Sequence, residues 1–233
     1  MASYRIKYSI TGQAKYVSHL DMAQVFERSM RRAQLPMAFS EGFNPHPKFS
    51  FGSALAVGVS STGEYLEFEL KERLEPEAIK ARLNEALPEG FEILDIREVQ
   101  EKGKTLMAIL NRAVYEAIIP FDIYRINPED LSRAIQQLLC KEEIKIMRQT
   151  KKGVKEKNIR PGIFQISGDI ANNNISLRMQ LATGSELNIR PEEVVQLILT
   201  ELKLAIPIKY VDIHREGLYV AKDNDKFTSP FEG

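Results

Sequence analysis

Phe39-Ser-Glu-Gly-Phe-Asn-Pro-His-Pro-Lys-Phe-Ser-Phe-Gly52 divides the first half of the chain. Pro45 and Pro47 flank His46 and remove two backbone donors, so the segment is neither a helix nor an interior strand. Each proline also pushes the residue before it, Asn44 and His46, toward extended backbone. The phenylalanines at 39, 43, 49 and 51 offer anchors to a core. Glu41, Asn44, His46 and Lys48 are then left for a ligand, and a polar loop pinned by aromatics is a common form of binding site. An ordinary structured crossover, with His46 bonded to a nearby carbonyl, is the plainer alternative. Either way, the regular elements before and after this loop must be separate.

On its N-terminal side, Tyr4-Arg-Ile-Lys-Tyr-Ser-Ile10 alternates and predicts a strand burying Tyr4, Ile6, Tyr8 and Ile10. A link containing Lys15 leads to Ser18-His-Leu-Asp21, a capping pattern for a helix start. Leu20, Ala23, Phe26, Met30 and Ala33 follow at helical spacing. Arg28, Arg31 and Arg32 lie on another face, as a solvated surface or a holder of phosphates. His19 falls at the helix N-terminus, where exposed amides favour an anionic ligand. On the C-terminal side, strands are expected near residues 49–57 and over 65–70, with a turn at 58–63. A helix from Pro76 through Leu87 and a strand over 91–96 complete β-α-β-β-α-β, the ferredoxin-like order.

The second half repeats that order with one extra strand. Strands are expected over 112–120, 143–149, 161–170, 175–182 and 208–213. Helices open at Pro128, capped by Asn127 and running to Cys140, and at Pro191. A basic segment covers 151–160. Asn-Ile-Arg-Pro occurs at both 158–161 and 188–191, which marks Arg160 and Arg190. Arg190 just before a helix start makes an anion-binding corner, unless it pairs with a local carboxylate. The expected class is therefore α+β, two tandem ferredoxin-like units over residues 1–104 and 105–222, with a tail at 223–233. Such paired sheets suit RNA, although the aromatic sheet signature of single-strand readers is missing.

Composition narrows the function. The 233 residues carry 32 Lys/Arg and 32 Asp/Glu, so no global basic field draws nucleic acid. The charge is uneven: residues 1–48 hold seven Lys/Arg against three Asp/Glu, 64–101 hold five against twelve, and 141–160 hold eight against three. A basic patch from the first and third segments is one reading, and separate solvated faces are the other. The single cysteine, Cys140, excludes an internal disulfide, a cysteine-based zinc site and an iron–sulfur cluster held by three or four cysteines of this chain. It ends an apolar helix pattern and is expected to be buried. No apolar run reads as a signal peptide or a membrane span, so the expectation is a cytoplasmic protein with no membrane partner.

Lys15-Tyr-Val-Ser-His-Leu-Asp21, Arg31-Arg-Ala-Gln-Leu-Pro36 and Ser40-Glu-Gly-Phe-Asn-Pro-His-Pro-Lys48 resemble the radical-SAM-linked family of uncharacterised bacterial proteins. Lys155-Glu-Lys-Asn-Ile-Arg-Pro161 and Leu187-Asn-Ile-Arg-Pro191 are similar to its later motifs, and the resemblance reaches about residue 220. One departure is Asn158, where the resemblance leads one to expect an acid. The resemblance implies a partner, a B12-binding radical SAM protein fused to this domain or encoded beside it. The iron–sulfur cluster, S-adenosylmethionine and cobalamin would belong to that partner, with no cofactor bound by this chain.

Three functions follow as expectations. The first is a non-catalytic accessory that presents a substrate, RNA such as tRNA or rRNA, to the radical SAM enzyme. Lys15, Ser18, His19, Asp21, Arg28, Arg31, Arg32, Glu41, Lys48, Arg160 and Arg190 would then form its substrate- and anion-binding set, the lysines, arginines and His19 meeting phosphates or other anions and Asn44 and His46 reading more specific groups. The second is an RNA-processing or RNA-modifying enzyme in its own right. His46 or His19 would be its general acid or base, and Asp21 or Glu41 would orient that histidine. The third is a metal site from His19, His46 and a nearby acid, which no ligand-spacing motif supports.

Overall fold

A computed structural model describes residues 1–99, 104–121, 126–150, 153–222 and 226–232. In chain order the elements are β1 (Ala2–Ile10), α1 (His19–Arg32), β2 (Phe49–Phe51), β3 (Ser60–Leu70), α2 (Pro76–Ala86) and β4 (Phe91–Val99). Then come α3 (Leu106–Ile109), β5 (Arg112–Pro120), α4 (Pro128–Leu139), β6 (Lys145–Thr150), β7 (Gly153–Asn158) and β8 (Ile163–Ala171). The chain ends with β9 (Asn174–Ala182), α5 (Pro191–Glu201), β10 (Asp212–Ala221) and β11 (Phe227–Thr228). The protein is α+β. It divides into two compact units, residues 1–111 with 215–233, and residues 112–214.

In the first unit β4, β1 and β3 are antiparallel neighbours, and β2 pairs the far side of β3 through Phe49↔Phe68 and Phe51↔Leu66. That is the strand order of the expected β-α-β-β-α-β unit. The alternation in β1 buries Tyr4, Ile6, Tyr8 and Ile10. Tyr4 stacks on Phe68 at 5.7 Å, and Phe26 of α1 meets Tyr8 edge-on at 4.8 Å. Helix α1 starts as its sequence asks: the Ser18 hydroxyl accepts from the Asp21 N–H at 3.2 Å. Its inward stripe is Met22, Phe26 and Met30, whereas Leu20, expected on the apolar face, is 79% exposed. Six residues at 3.6 per turn put Leu20 about 120° around the helix from Phe26.

Two other expectations in this unit change. β2 stops after three residues, and β3 begins at Ser60, absorbing residues 60–63 of the expected turn. Gly63 is a contact point rather than a turn residue, because a Cβ there would meet Gly217 Cα of β10 at 2.4 Å. β10 lies beside β3 and β11 pairs β10 through Val220↔Thr228. The last residues return over the sheet: Phe231 packs on Tyr65 at 5.5 Å and under the Arg97 guanidinium at 4.7 Å. Residues 226–232 of the expected tail are thus part of this unit, while 223–225 and 233 lie outside the described residues.

In the second unit β5, β9 and β8 form an antiparallel sheet. Asn172 and Asn173 make the β8–β9 turn, with φ of 51° and 57°. α4 is closed by a capping box between Asn127 and Asp130. The order β5-α4-β8-β9-α5 carries a core of Leu131, Ile135, Leu138, Leu177, Val195 and Ile198. β6 does not join that sheet. It pairs only with β7, which occupies part of the basic segment at 151–160, for which no strand was expected. Lys151 and Lys152 of that stretch lie outside the described residues.

Residues 208–210, expected as strand, form a 3-10 turn, and the strand follows at 212–221. Cys140, expected buried, is exposed, because it falls one residue past the last turn of α4. Among the described residues no helix is long and apolar enough to cross a membrane.

Candidate functional site

The loop after α1 is closed by its own backbone. Ser40 N–H donates to the His46 carbonyl at 2.8 Å, and His46 N–H donates to Ser40 Oγ at 3.0 Å. A bridge between Phe39 and Pro47 and the Lys48 N–H to Ala38 carbonyl bond at 3.1 Å fix the root. Gly42 takes φ of +125°, a shape that other residues resist. The turn exposes Glu41, Phe43, Asn44 and His46, and no described hydrogen bond or ion pair engages their side chains. Phe43 was expected to anchor the loop with the other phenylalanines. It is instead 106% exposed at the tip, while Phe39, Phe49 and Phe51 pack on the core.

Helix α1 lies against both roots of this loop. At its start the His19 ring meets Phe51 edge-on at 5.2 Å, and in its last turn the Arg31 guanidinium lies 5.8 Å from the Phe39 ring. The helix entrance thus meets the C-terminal root of the loop and the last turn of the helix meets its N-terminal root. His19, Asp21 and His46 are all exposed, and among the described residues no hydrogen bond or ring contact joins His19 or Asp21 to His46. Asp21 is taken up by Ser18, whose hydroxyl donates to its carboxylate at 2.6 Å. Neither imidazole bonds a carboxylate among the described residues, so no oriented acid–base pair is formed. No group of three or more His, Cys, Asp or Glu able to hold a metal occurs among the described residues.

The cations differ in what they touch. Lys48 pairs with Glu69 at 3.1 Å, Arg31 with Glu27 at 2.7 Å, and Arg28 donates to Gln24 at 3.3 Å. Arg32 caps the end of α2 by donating to the Ala86 carbonyl at 2.7 Å. It lines a hollow of about 370 Å³ with Gln34, Arg82 and Glu85, in which Arg82 likewise donates to the Gln34 carbonyl at 2.7 Å. The Lys15 ammonium lies 5.7 Å from the Tyr16 ring. In the second unit Arg160 donates to the carbonyls of Leu139 and Ile163 at 2.8 Å each, closing the end of α4. Arg190 precedes α5 with its side chain exposed, and its N–H donates to Glu193 at 3.4 Å.

Sequence reasoning passed over a buried ion pair in the first unit. Arg215 is 1% exposed and Glu64 3%. Arg215 Nε donates to Glu64 at 2.7 Å, its Nη2 reaches the Ser53 carbonyl at 3.0 Å, and the Ser61 hydroxyl donates to the same carboxylate at 2.6 Å. Burial, then the nearby Glu64 charge, pushes the Tyr8 phenol well above its ordinary 10.0. The one signal available was an acid at 64 opening a strand that otherwise alternates, and its partner lies 151 residues away.

A model of the family described as "Uncharacterized protein conserved in bacteria (DUF2344)" matches residues 3–191. No curated protein matches. Among solved structures, a Cbf5-Nop10-Gar1 complex is similar at 11% identity and a TM-score of 0.48, over 91% of this chain and 47% of that one. The chain thus spans about half the length of that relative. An unknown protein from Galdieria sulphuraria is similar at 12% identity and a TM-score of 0.27, over 92% of this chain and 97% of that one.

Proposed function

Because the chain belongs to that family of uncharacterized proteins conserved in bacteria, and its motifs resemble those of radical-SAM-linked proteins, we propose that it is an accessory RNA-binding protein. It holds RNA for a separate B12-binding radical SAM enzyme, which supplies the iron–sulfur cluster, S-adenosylmethionine and cobalamin. The observation that carries the RNA reading is the closed loop at 40–46 with Phe43 fully exposed at its tip. Unstacked bases bind on aromatic faces and are read on their edges by amide and imidazole groups. Phe43 supplies the face, and Asn44 and His46 supply donors and acceptors beside it. The loop's backbone bonds fix those groups before a ligand arrives, which lowers the ordering cost of binding.

Two titrations test this. Fluorescence anisotropy with a labelled single-stranded RNA of mixed sequence should show binding that weakens with salt. Phe43→Ala should weaken it by about 1–3 kcal/mol, the range for loss of one stacking platform. Binding unchanged in Phe43→Ala would move the site away from this loop, and no binding by the wild type would end the RNA reading. Co-purification with a B12-binding radical SAM protein encoded beside it tests the partner. Purification without that enzyme, under conditions that preserve it, would remove it.

A further inference from the structure

The β6–β7 hairpin stands apart from the sheet of its unit and presents two different faces. The register pairs Met147 with Glu156 and Gln149 with Val154 on one face, and Ile146 with Lys157 and Arg148 with Lys155 on the other. On the first face Lys145 is neutralised by Glu143 at 3.0 Å, with Glu156 at 3.8 Å. The second face places Arg148 directly across from Lys155, and like charges in that position destabilise a ladder. Lys157 follows two residues after Lys155 on the same face.

This second face meets the start of α5. Arg148 donates to Glu193 at 2.7 Å through Nε and to the Asn188 carbonyl at 2.9 Å. The same Glu193 accepts the Arg190 N–H at 3.4 Å. Arg148 through its guanidinium and Arg190 through its backbone N–H both meet the Glu193 carboxylate, and Lys155 and Lys157 share the hairpin face with Arg148, so these four cations flank a helix start that carries Glu192 and Glu193. Glu193 is held bidentately by Arg148. No ion pair is formed by Lys155, Lys157 or Arg190 among the described residues. Burial and then the Arg148 charge lower the Lys157 ammonium from its ordinary 10.5, against the opposing pull of Glu193.

We infer that this corner, with Lys155, Lys157 and Arg190 arranged around the Arg148–Glu193 pair, binds the phosphate backbone of the RNA. The inference rests on the RNA reading above and adds to it a second contact of different chemistry. The 40–46 loop reads bases, whereas this corner neutralises phosphates without regard to sequence. A local run of cations on a chain of zero net charge gives such attraction where the whole-chain charge gives none. Arg148 is the anchor that keeps the hairpin in place, and the other three cations make the contacts.

The test uses the full chain and a fluorescein-labelled 20-nucleotide RNA of mixed sequence, titrated from 50 to 300 mM KCl (length and salt being roughly those where such slopes are readable). Lys155→Gln, Lys157→Gln and Arg190→Gln are combined, which leaves the Arg148–Glu193 anchor intact. The expected result is a salt slope smaller by about 2, at about 0.7 per lost phosphate contact, and affinity down about tenfold or more at low salt. Lys145→Gln on the opposite face should leave both unchanged. If the triple variant melts early, Lys155→Gln alone should still reduce the slope by about 0.7. Wild-type affinity and slope in a folded variant that binds RNA would overturn the inference and leave the RNA reading standing. No RNA binding by the wild type would overturn both. Equal affinity for poly-glutamate would overturn the phosphate assignment in favour of an acidic protein partner.

Discussion

Arg215 and Glu64 show how one residue can govern a region without facing any ligand. The guanidinium is satisfied by a carboxylate and by the Ser53 and Ala54 carbonyls, so removing it strips several groups at once. Arg215→Met would leave the Glu64 carboxylate buried without its counter-ion, and breaking such a pair costs about 3–5 kcal/mol. Urea unfolding should show that loss, and Glu64→Gln combined with Arg215→Met should destabilise by less than the two single changes summed. A second outcome concerns Tyr8, whose hydroxyl donates to Met22 Sδ at 3.3 Å in the same interior. Its phenol is raised above 10.0 in the folded protein, so between that value and the raised one the folded state holds a proton that the unfolded state has lost. The stability tied to Tyr8 is complete below pH 10 and declines as pH climbs above it. Urea midpoints from pH 8 to 11 should therefore fall more steeply for the wild type than for Tyr8→Phe, with the two curves parallel below about pH 9. Parallel curves throughout would mean that the phenol ionises as freely inside as outside.

Local elements followed local rules and were readable where those rules suffice. The β1 alternation, the Ser18 and Asn127 caps and the helices opened by Pro76, Pro128 and Pro191 all lie where the sequence puts them. β7 was not readable, because Gly-Val-Lys-Glu-Lys-Asn has no core face to alternate against and pairs only with β6. β10 was misplaced, since the apolar run at 208–213 looks more like a strand than Asp212–Ala221, whose centre is Arg215-Glu-Gly217. The candidate site divides in the same way. Its prolines and glycine announced a fixed loop, but the partners of Lys48, Arg32 and Arg160 are Glu69, a helix-end carbonyl at 86 and another at 139, all distant in sequence. The loop itself makes a testable element. Ser40 closes it with both its N–H and its hydroxyl, and Ser40→Ala deletes only the bond from the His46 N–H. Global stability should fall by about 0.5–1.5 kcal/mol, while the His46 amide exchanges faster and RNA binding weakens through lost preorganisation. Unaltered exchange at His46 would show that the prolines alone hold the loop.

The chain does not divide into two halves at its midpoint, because the first unit takes in residues 215–233 as well as 1–111. What that late segment supplies can be counted in contacts within the unit. Gly217 lies against Gly63, Tyr219 and Ala221 accept from the Asn111 backbone and side chain at 3.2 and 2.8 Å, and Arg5 donates to the Pro230 carbonyl. A chain ending at His214 would expose the β3 edge that β10 covers, strand Glu64 without Arg215 and leave Arg5 with Glu67 alone. An uncovered strand edge and a buried unpaired charge each oppose folding, and together they exceed the margin of an ordinary domain. The expected outcome is selective. Hydrogen exchange on the 1–214 chain should show β1 and β3 unprotected, while α4, β8 and β9 of the second unit, whose residues are contiguous, keep their protection. A synthetic 215–233 peptide added in excess should restore protection to β1 and β3 if the loss is of contacts and not of solubility. Native protection in β1 and β3 without the peptide would mean that the sheet of the first unit closes on the four strands of its β-α-β-β-α-β core, with β10 an ornament to it.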